Sequence, residues 1–279
     1  MKSTKSRPST NPINHSLTPY PIRPKKNLGQ NFLTDDAVLR REVACAEIAA
    51  GDIVLEIGAG IGNLTQLLLE RAGQVVAVEQ DRQFGPCLKD LQRRYEHLKV
   101  IWGDALAVDF PRFDKAVANL PYQVALPIVF KLLNQRFGRA VLMLPKRLAQ
   151  RLCATVGQKG YSRIGVAVGR LAQVEWIEQV GKDAFFPRPE VESALVLIKR
   201  TKPKFAVPSD DFFRQVLESL FARRQEQVQQ IVPPAALASL SKKIKDKPVY
   251  TVTPREFGAI TRAWWPLSQP TPRTLRAPS

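Results

Sequence analysis

Ile53-Val54-Leu55-Glu56-Ile57, followed by Gly58-Ala59-Gly60-Ile61-Gly62-Asn63, is the stretch that decides the fold. Its first five residues, mostly branched aliphatics, suit a buried, pleated strand, and the pattern turns helical at residues 64–71 directly after the glycines. Glycine there lets the backbone turn sharply and approach a neighbour where a Cβ would collide. Outward from this unit, short β-rich runs at residues 74–78, 99–102, 115–117 and 140–144 alternate with helix-like segments such as residues 128–136. Alternating β and α elements predict a parallel sheet covered on both faces, an α/β fold. Two more apolar runs, residues 174–180 and 194–198, follow with no long helix between them, which predicts an antiparallel pair at the sheet edge. Upstream, Thr34 reads as the N-cap of a helix with Asp35 and Asp36 in its first turn and Val38, Val43 and Ile48 along its apolar stripe.

Composition divides the rest of the chain. Residues 1–26 are rich in Ser, Thr, Pro and basic side chains and hold no acid, so they bury too little apolar surface to order themselves and read as a disordered basic tail. The tail has no apolar stretch of the kind a secretory signal needs. Its lack of acids leaves an organelle transit peptide open, although its prolines spoil an amphipathic helix. Residues 202–208 read as a linker between a catalytic domain at 27–203 and a small helical domain at 208–266. In the latter, Ser209 caps an amphipathic helix carrying Phe212, Phe213, Val216, Leu217, Leu220 and Phe221, and Thr253-Pro254 opens another. Residues 267–279 read as a second disordered tail.

Forty-two Lys and Arg against 25 Asp and Glu leave a net charge of +17, which presents positive potential to any polyanion and puts nucleic acid first among partners. Solubility or an acidic membrane surface would account for charge alone. Cys45, Cys87 and Cys153 are odd in number and far apart, with neither disulfide nor zinc spacing, and imply a reducing compartment. Two histidines, His15 and His97, give almost no material for a metal centre or a Ser-His-Asp triad. No run approaches the roughly 18 apolar residues of a membrane span.

The glycine turn alone is as often structural as ligand-binding. Glu79 ends the next strand about twenty residues on, where a carboxylate can accept both hydroxyl hydrogens of a ribose. A dinucleotide site predicts a third glycine where this chain has Asn63. The following strand ends in Gly103-Asp104-Ala105, a second acid able to bind an exocyclic amine such as adenine's. A ribose acid with an adenine acid and no phosphate device fits S-adenosylmethionine better than NAD. After the fourth strand comes Asn119-Leu120-Pro121-Tyr122. An aromatic amine is a poor nucleophile because its lone pair is delocalised. The Asn119 amide oxygen and the Leu120 carbonyl can accept its two hydrogens and favour the pyramidal geometry that attacks a sulfonium methyl group. Pro121 fixes the loop, and Tyr122 offers a stacking face worth roughly 1 to 3 kcal/mol. Met alone, such a tetrapeptide is more often a proline turn ending a strand.

These blocks occur with Asn27-Leu28-Gly29-Gln30-Asn31-Phe32-Leu33 and Phe185-Phe186-Pro187-Arg188-Pro189-Glu190-Val191-Glu192-Ser193-Ala194. With them the chain, over about residues 26–224, resembles the KsgA/Erm family of rRNA adenine N6,N6-dimethyltransferases. The resemblance implies a Rossmann-like, mostly parallel S-adenosylmethionine methyltransferase sheet with an antiparallel edge, plus a small C-terminal helical domain that binds RNA. It implies dimethylation of two adjacent adenosines in small-subunit rRNA during ribosome biogenesis, by a cytoplasmic monomer acting on a pre-ribosomal particle. Carried over by match, Asn31, Leu33, Gly58, Gly60, Glu79, Asp104 and Asn119 would contact the cofactor. Asn119, Leu120, Pro121 and Tyr122 would form the loop that holds the target amine, with Phe185 as a second stacking ring. Gly160-Tyr161-Ser162-Arg163 and Pro127-Ile128-Val129-Phe130-Lys131-Leu132-Leu133 look like the archaeal and eukaryotic branch. Lys146-Arg147, where relatives usually have Lys-Glu, and Phe221-Ala222-Arg223-Arg224-Gln225, which lacks a following lysine, depart from the pattern and put detailed RNA contacts in doubt. Other readings stay open: a large-subunit rRNA methylase in the manner of resistance enzymes, or a relative serving as an organelle transcription factor or ribosome-assembly factor. A DNA amine methylase shares the Asn-x-Pro-Tyr logic but not the other blocks, and a cytosine C5 enzyme would need a cysteine beside a proline in that loop.

Overall fold

A computed structural model describes residues 20–25 and 28–268. In chain order the elements are β1 (Phe32–Leu33), α1 (Asp36–Ala46), β2 (Ile53–Ile57), α2 (Asn63–Leu69), β3 (Gln74–Glu79), α3 (Gly85–Arg94), β4 (Leu98–Trp102), β5 (Lys115–Asn119), α4 (Ala125–Leu133), β6 (Arg139–Pro145), α5 (Lys146–Cys153), α6 (Arg163–Leu171), β7 (Ala172–Val180), β8 (Phe185–Phe186) and β9 (Ser193–Arg200). They are followed by α7 (Asp210–Ala222), α8 (Pro234–Leu237), α9 (Lys242–Lys245) and α10 (Pro254–Ser268). The chain divides into two compact units, one made of the described residues up to Ala149 with Val174–Arg200, the other of Gln150–Gln173 with the described residues from Thr201 onward.

In the first unit seven strands run in the order β4-β3-β2-β5-β6-β9-β7. Strands β4, β3, β2, β5 and β6 are mutually parallel, and β9 lies antiparallel to β6 with Val141 opposite Leu197. Val75, Val76, Ala77 and Val78 are all buried, as a strand covered on both faces requires. From β2 the chain goes to β3 on one side and later returns to β5 on the other. Ligands of open α/β sheets bind at the carboxyl ends of the strands flanking such a reversal. A separate two-stranded pair joins β1 to β8 antiparallel, Leu33 opposite Phe185.

Helix α1 is capped by Asp35, whose carboxylate accepts from the N–H groups of Ala37 (2.9 Å) and Val38 (3.2 Å). Thr34, expected as the cap, instead donates its N–H and hydroxyl to the Ala184 carbonyl and prolongs the β1–β8 pair. Glu47, at φ 49°, ends the helix, so Ile48 lies beyond the stripe assigned to it. The tail expected over residues 1–26 also needs correction. Residues 1–19 and 26 lie outside the described residues, but Ile22 is buried in the core and Lys25 pairs with Asp81 at 2.8 Å. Tyr20 also packs against that core, so several long-range contacts hold this segment despite its polar composition.

The second unit has its own core of Phe213, Val216, Leu217, Leu220, Phe257 and Ile260 from α7 and α10. Ser209 caps α7 by accepting from the Phe212 N–H, and Thr253 and Glu256 exchange side-chain to backbone hydrogen bonds at the start of α10. Helix α10 runs through Ser268, two residues into the expected tail, whose residues 269–279 lie outside the described residues. The unit also takes in residues 150–173, which sequence places in the catalytic domain. Tyr161 and Arg170 explain why: the Tyr161 hydroxyl donates to the Val252 carbonyl at 2.7 Å, and Arg170, 5% exposed, bonds Asp210 and lies 5.8 Å from the Phe213 ring centre. Among the described residues no helix is long and apolar enough to cross a membrane.

Candidate active site

The carboxyl ends of β2, β3, β4 and β5, with the β1–β8 pair, enclose a cavity of about 480 Å³, within the range of small-ligand sites. Every residue singled out from the sequence lines it: Asn31, Leu33, Gly58, Gly60, Glu79, Asp104, the loop Asn119-Leu120-Pro121-Tyr122, and Phe185. The chain brings them together because most sit at or just past the carboxyl end of a sheet strand, while Asn31, Leu33 and Phe185 come from the β1–β8 pair and the residue before it.

Two glycines with positive φ shape the turn that leaves β2. Gly60 has φ +53° and a Cβ there would lie 3.1 Å from the Phe32 ring, while Gly62, at φ +89°, would drive a Cβ to 2.5 Å from Leu91 Cδ1. Beside them a Cβ on Gly58 would meet nothing closer than the Asn119 carbonyl at 3.9 Å, so the cradle between β2 and β5 is open space that a side chain would fill. Glu79, 5% exposed, accepts from the Gly60 N–H at 2.9 Å through Oε2 and from the Asp81 N–H at 2.7 Å through Oε1. Burial pushes its pKa up, against those backbone donors. A carboxylate has about four acceptor sites, so both oxygens can still accept from a ligand hydroxyl.

Asp81, not anticipated from sequence, anchors the N-terminal wall. It accepts from Lys25 Nζ (2.8 Å), Gln30 Nε2 (2.9 Å) and Gln83 Nε2 (2.6 Å). Burial pushes the Asp81 carboxyl up, but Lys25 and the amides outweigh it and hold it below the usual range. Asn63 opens α2 and donates to the Leu33 carbonyl at 3.3 Å, so the residue standing where a dinucleotide site has glycine ties the β1 segment to the glycine turn. Asp104 is exposed and accepts from the Leu106 N–H at 2.9 Å. Its loop is pinned by Lys131 on α4, which donates to the carbonyls of Ala105 (2.9 Å), Leu106 (3.1 Å) and Val108.

At the end of β5, Asn119 donates through Nδ2 to Glu42 Oε2 at 3.3 Å, and its amide oxygen is buried with no hydrogen-bond partner. Such an orphaned acceptor calls for a ligand donor. The Tyr122 hydroxyl and Ser193 Oγ share a 2.7 Å hydrogen bond that fixes the half-buried ring, and burial raises its pKa. Phe185, buried, reaches the same cavity from β8. An open glycine cradle, a buried carboxylate with spare lone pairs and an orphaned amide oxygen fit a ligand that carries ribose hydroxyls and lies beside an amine.

Comparison with known proteins places the chain in a family. The family model for "Ribosomal RNA adenine dimethylase" matches residues 22–256. A protein of Thermococcus onnurineus named "Probable ribosomal RNA small subunit methyltransferase A" is 41% identical over 212 residues, 76% of each chain, and one of the same name from Thermococcus gammatolerans is 38% identical over 250 residues, 85% of this chain and 88% of its own. Among solved structures, a dimethyladenosine transferase from Plasmodium falciparum superposes with a TM-score of 0.73 at 28% identity, covering 82% of this chain and 95% of that one. The 23S rRNA methyltransferase ErmE gives 0.65 at 25% identity, covering 84% and 99%. The chain belongs to the ribosomal RNA adenine dimethylase family, methyltransferases that take their methyl group from S-adenosylmethionine.

Proposed function

We propose that this enzyme dimethylates N6 of two adjacent adenosines in small-subunit rRNA, as a cytoplasmic monomer acting on a pre-ribosomal particle. The observation that carries the reading is the orphaned Asn119 amide oxygen at the end of β5, in a cavity that Leu120, Tyr122 and Phe185 also line. S-adenosylmethionine supplies a methyl group on positively charged sulfur. Asn119 Oδ1 and the Leu120 carbonyl accept the two amine hydrogens, which draws the nitrogen lone pair out of conjugation. Tyr122 and Phe185 hold the base by stacking, Glu79 accepts from the ribose hydroxyls and Asp104 from the adenine amine of the donor. With S-adenosylmethionine bound, its sulfonium would supply the methyl group, Asn119 and Leu120 would hold the attacking amine, and the proton that the methylated nitrogen loses would pass to water. The small subunit is favoured over the large because the relatives bearing that name reach 44% identity and ErmE 25%.

Single-turnover methylation of a small-subunit particle, with mono- and dimethyladenosine resolved, tests this. Asn119 acts as the nitrogen pyramidalises, so Asn119→Ala should depress turnover far more than RNA affinity. Normal turnover by Asn119→Ala, or a product that stops at one methyl in the unmodified protein, refutes it.

A further inference from the structure

Helix α1 lays Val38, Leu39, Val43 and Ala46 into the core, and Glu42 lies on the same stripe with none of its surface exposed. An apolar side chain would be the stable choice there, since a buried carboxyl loses hydration that nothing replaces unless it is hydrogen-bonded. Glu42 is poorly compensated. Its Oε1 has no partner, and Oε2 accepts only the amide of Asn119, 77 positions along the chain, at 3.3 Å. Burial pushes its pKa to about 8, against the Asn119 bond and with Glu56 adding to the rise. A costly group whose hydrogen bond runs to the end of β5 points to a task at that end.

That task follows from the two faces of an amide. Nδ2 can only donate and Oδ1 can only accept, and the two lie on opposite sides of one carbon. With Nδ2 held on the α1 side, Oδ1 is turned away from the helix and has no protein partner. Rotated by half a turn, Asn119 would offer a donor to an amine that is itself a donor. We propose that Glu42 is a positioning residue for the methyl transfer, holding the Asn119 amide so that its acceptor oxygen faces the target amine. This rests on Asn119 being the acceptor for that amine. Any carbonyl oxygen at the end of side chain 42 performs the task. An apolar side chain does not, because it leaves a buried Nδ2 unpaired in the productive orientation, a penalty equivalent to about tenfold in rate.

The test uses the full-length protein and four variants, Glu42→Leu, Glu42→Gln, Asn119→Ala and the double Glu42→Leu/Asn119→Ala, in the single-turnover assay on the small-subunit particle. Glu42→Leu suits the apolar stripe and should fold with no loss of thermal stability. Its rate should fall about tenfold, with KM for the particle and affinity for S-adenosylmethionine within about twofold of the unmodified protein. Glu42→Gln keeps a carbonyl oxygen and should restore most of the rate. If Glu42 acts through Asn119, the double variant is no slower than Asn119→Ala alone, which a loss of general packing would not produce. A Glu42→Leu rate within twofold of the unmodified protein overturns the inference, and so does a double variant showing the product of the two single losses. If Asn119→Ala keeps its full rate, the reading of Asn119 fails and the inference falls with it. If Asn119→Ala is slow and Glu42→Leu is not, the inference alone fails.

Discussion

Glu42→Leu should also stabilise the fold, by an amount that grows with pH. Burial places the Glu42 pKa near 8 in the native protein, against an ordinary 4.5 in the unfolded chain. Between those values the native state keeps a proton that the unfolded state has released, so raising the pH favours unfolding. Each unit of pH in that window costs about 1.4 kcal/mol. From 4.5 to 7 the Glu42 contribution reaches at most about 3 kcal/mol. Leucine carries no such linkage and adds apolar burial. Urea denaturation of both proteins at pH 5.5 and pH 7 should show the advantage of Glu42→Leu widening by up to about 2 kcal/mol. Glu56, whose pKa burial also raises to about 8, contributes a similar slope to both proteins and largely cancels in the difference. An advantage that is flat with pH, or a variant less stable than its parent at pH 7, would refute the assignment of Glu42 as a neutral, poorly compensated carboxyl.

Glu79→Ala should weaken S-adenosylmethionine binding by roughly 1 to 3 kcal/mol, since ribose hydroxyls lose an acceptor that Gly60 and Asp81 hold in place; unchanged affinity by calorimetry would remove Glu79 from the site. Tyr122→Phe loses the Ser193 hydrogen bond but keeps the stacking face, and should be mild in turnover, whereas Tyr122→Ala should be severe. If the +17 charge is a phosphate-binding surface, affinity for the pre-ribosomal particle should fall with salt at a log–log slope of about −0.7 to −0.9 per phosphate neutralised. A flat response would point to a neutral or protein partner.

How much of this was legible in the sequence depends on the range of the interaction. Strands β3 and β6 show in local composition, because burial on both faces leaves a mostly apolar run, and Gly60 and Gly62 show because glycine takes up a positive φ far more readily than other residues. Asn119 and Glu79 could be placed since each ends a recognisable strand. Glu42 could not. Within Arg40-Arg41-Glu42 it resembles a solvated helix face, and only the four-residue step from Val38 and to Ala46 shows that it points inward. Its partner is 77 positions away. The same limit hid the Lys25–Asp81 pair, 56 positions apart, and left residues 150–173 in the wrong unit, because the Tyr161 and Arg170 contacts that hold them reach Val252 and Asp210.

Among the described residues the buried polar groups differ in how fully they are paired. Arg170 and Thr261 in the second unit are satisfied where they lie, Arg170 by Asp210 and the Phe205 carbonyl, Thr261 by the Phe257 carbonyl at 2.8 Å. Near the cavity, Glu79 is likewise held by two backbone N–H groups, but Glu42 Oε1 and the amide oxygen of Asn119 have no partner. Natural cores satisfy such groups almost without exception, and each orphan lowers stability. The unpaired amide oxygen of Asn119 lines the cavity and is therefore better explained by a ligand that donates there than by imperfect packing. Since Glu42 meets the cavity only through Asn119, an apolar replacement there should be tolerated or welcomed by the fold while turnover falls, the trade expected where a site holds strain for function.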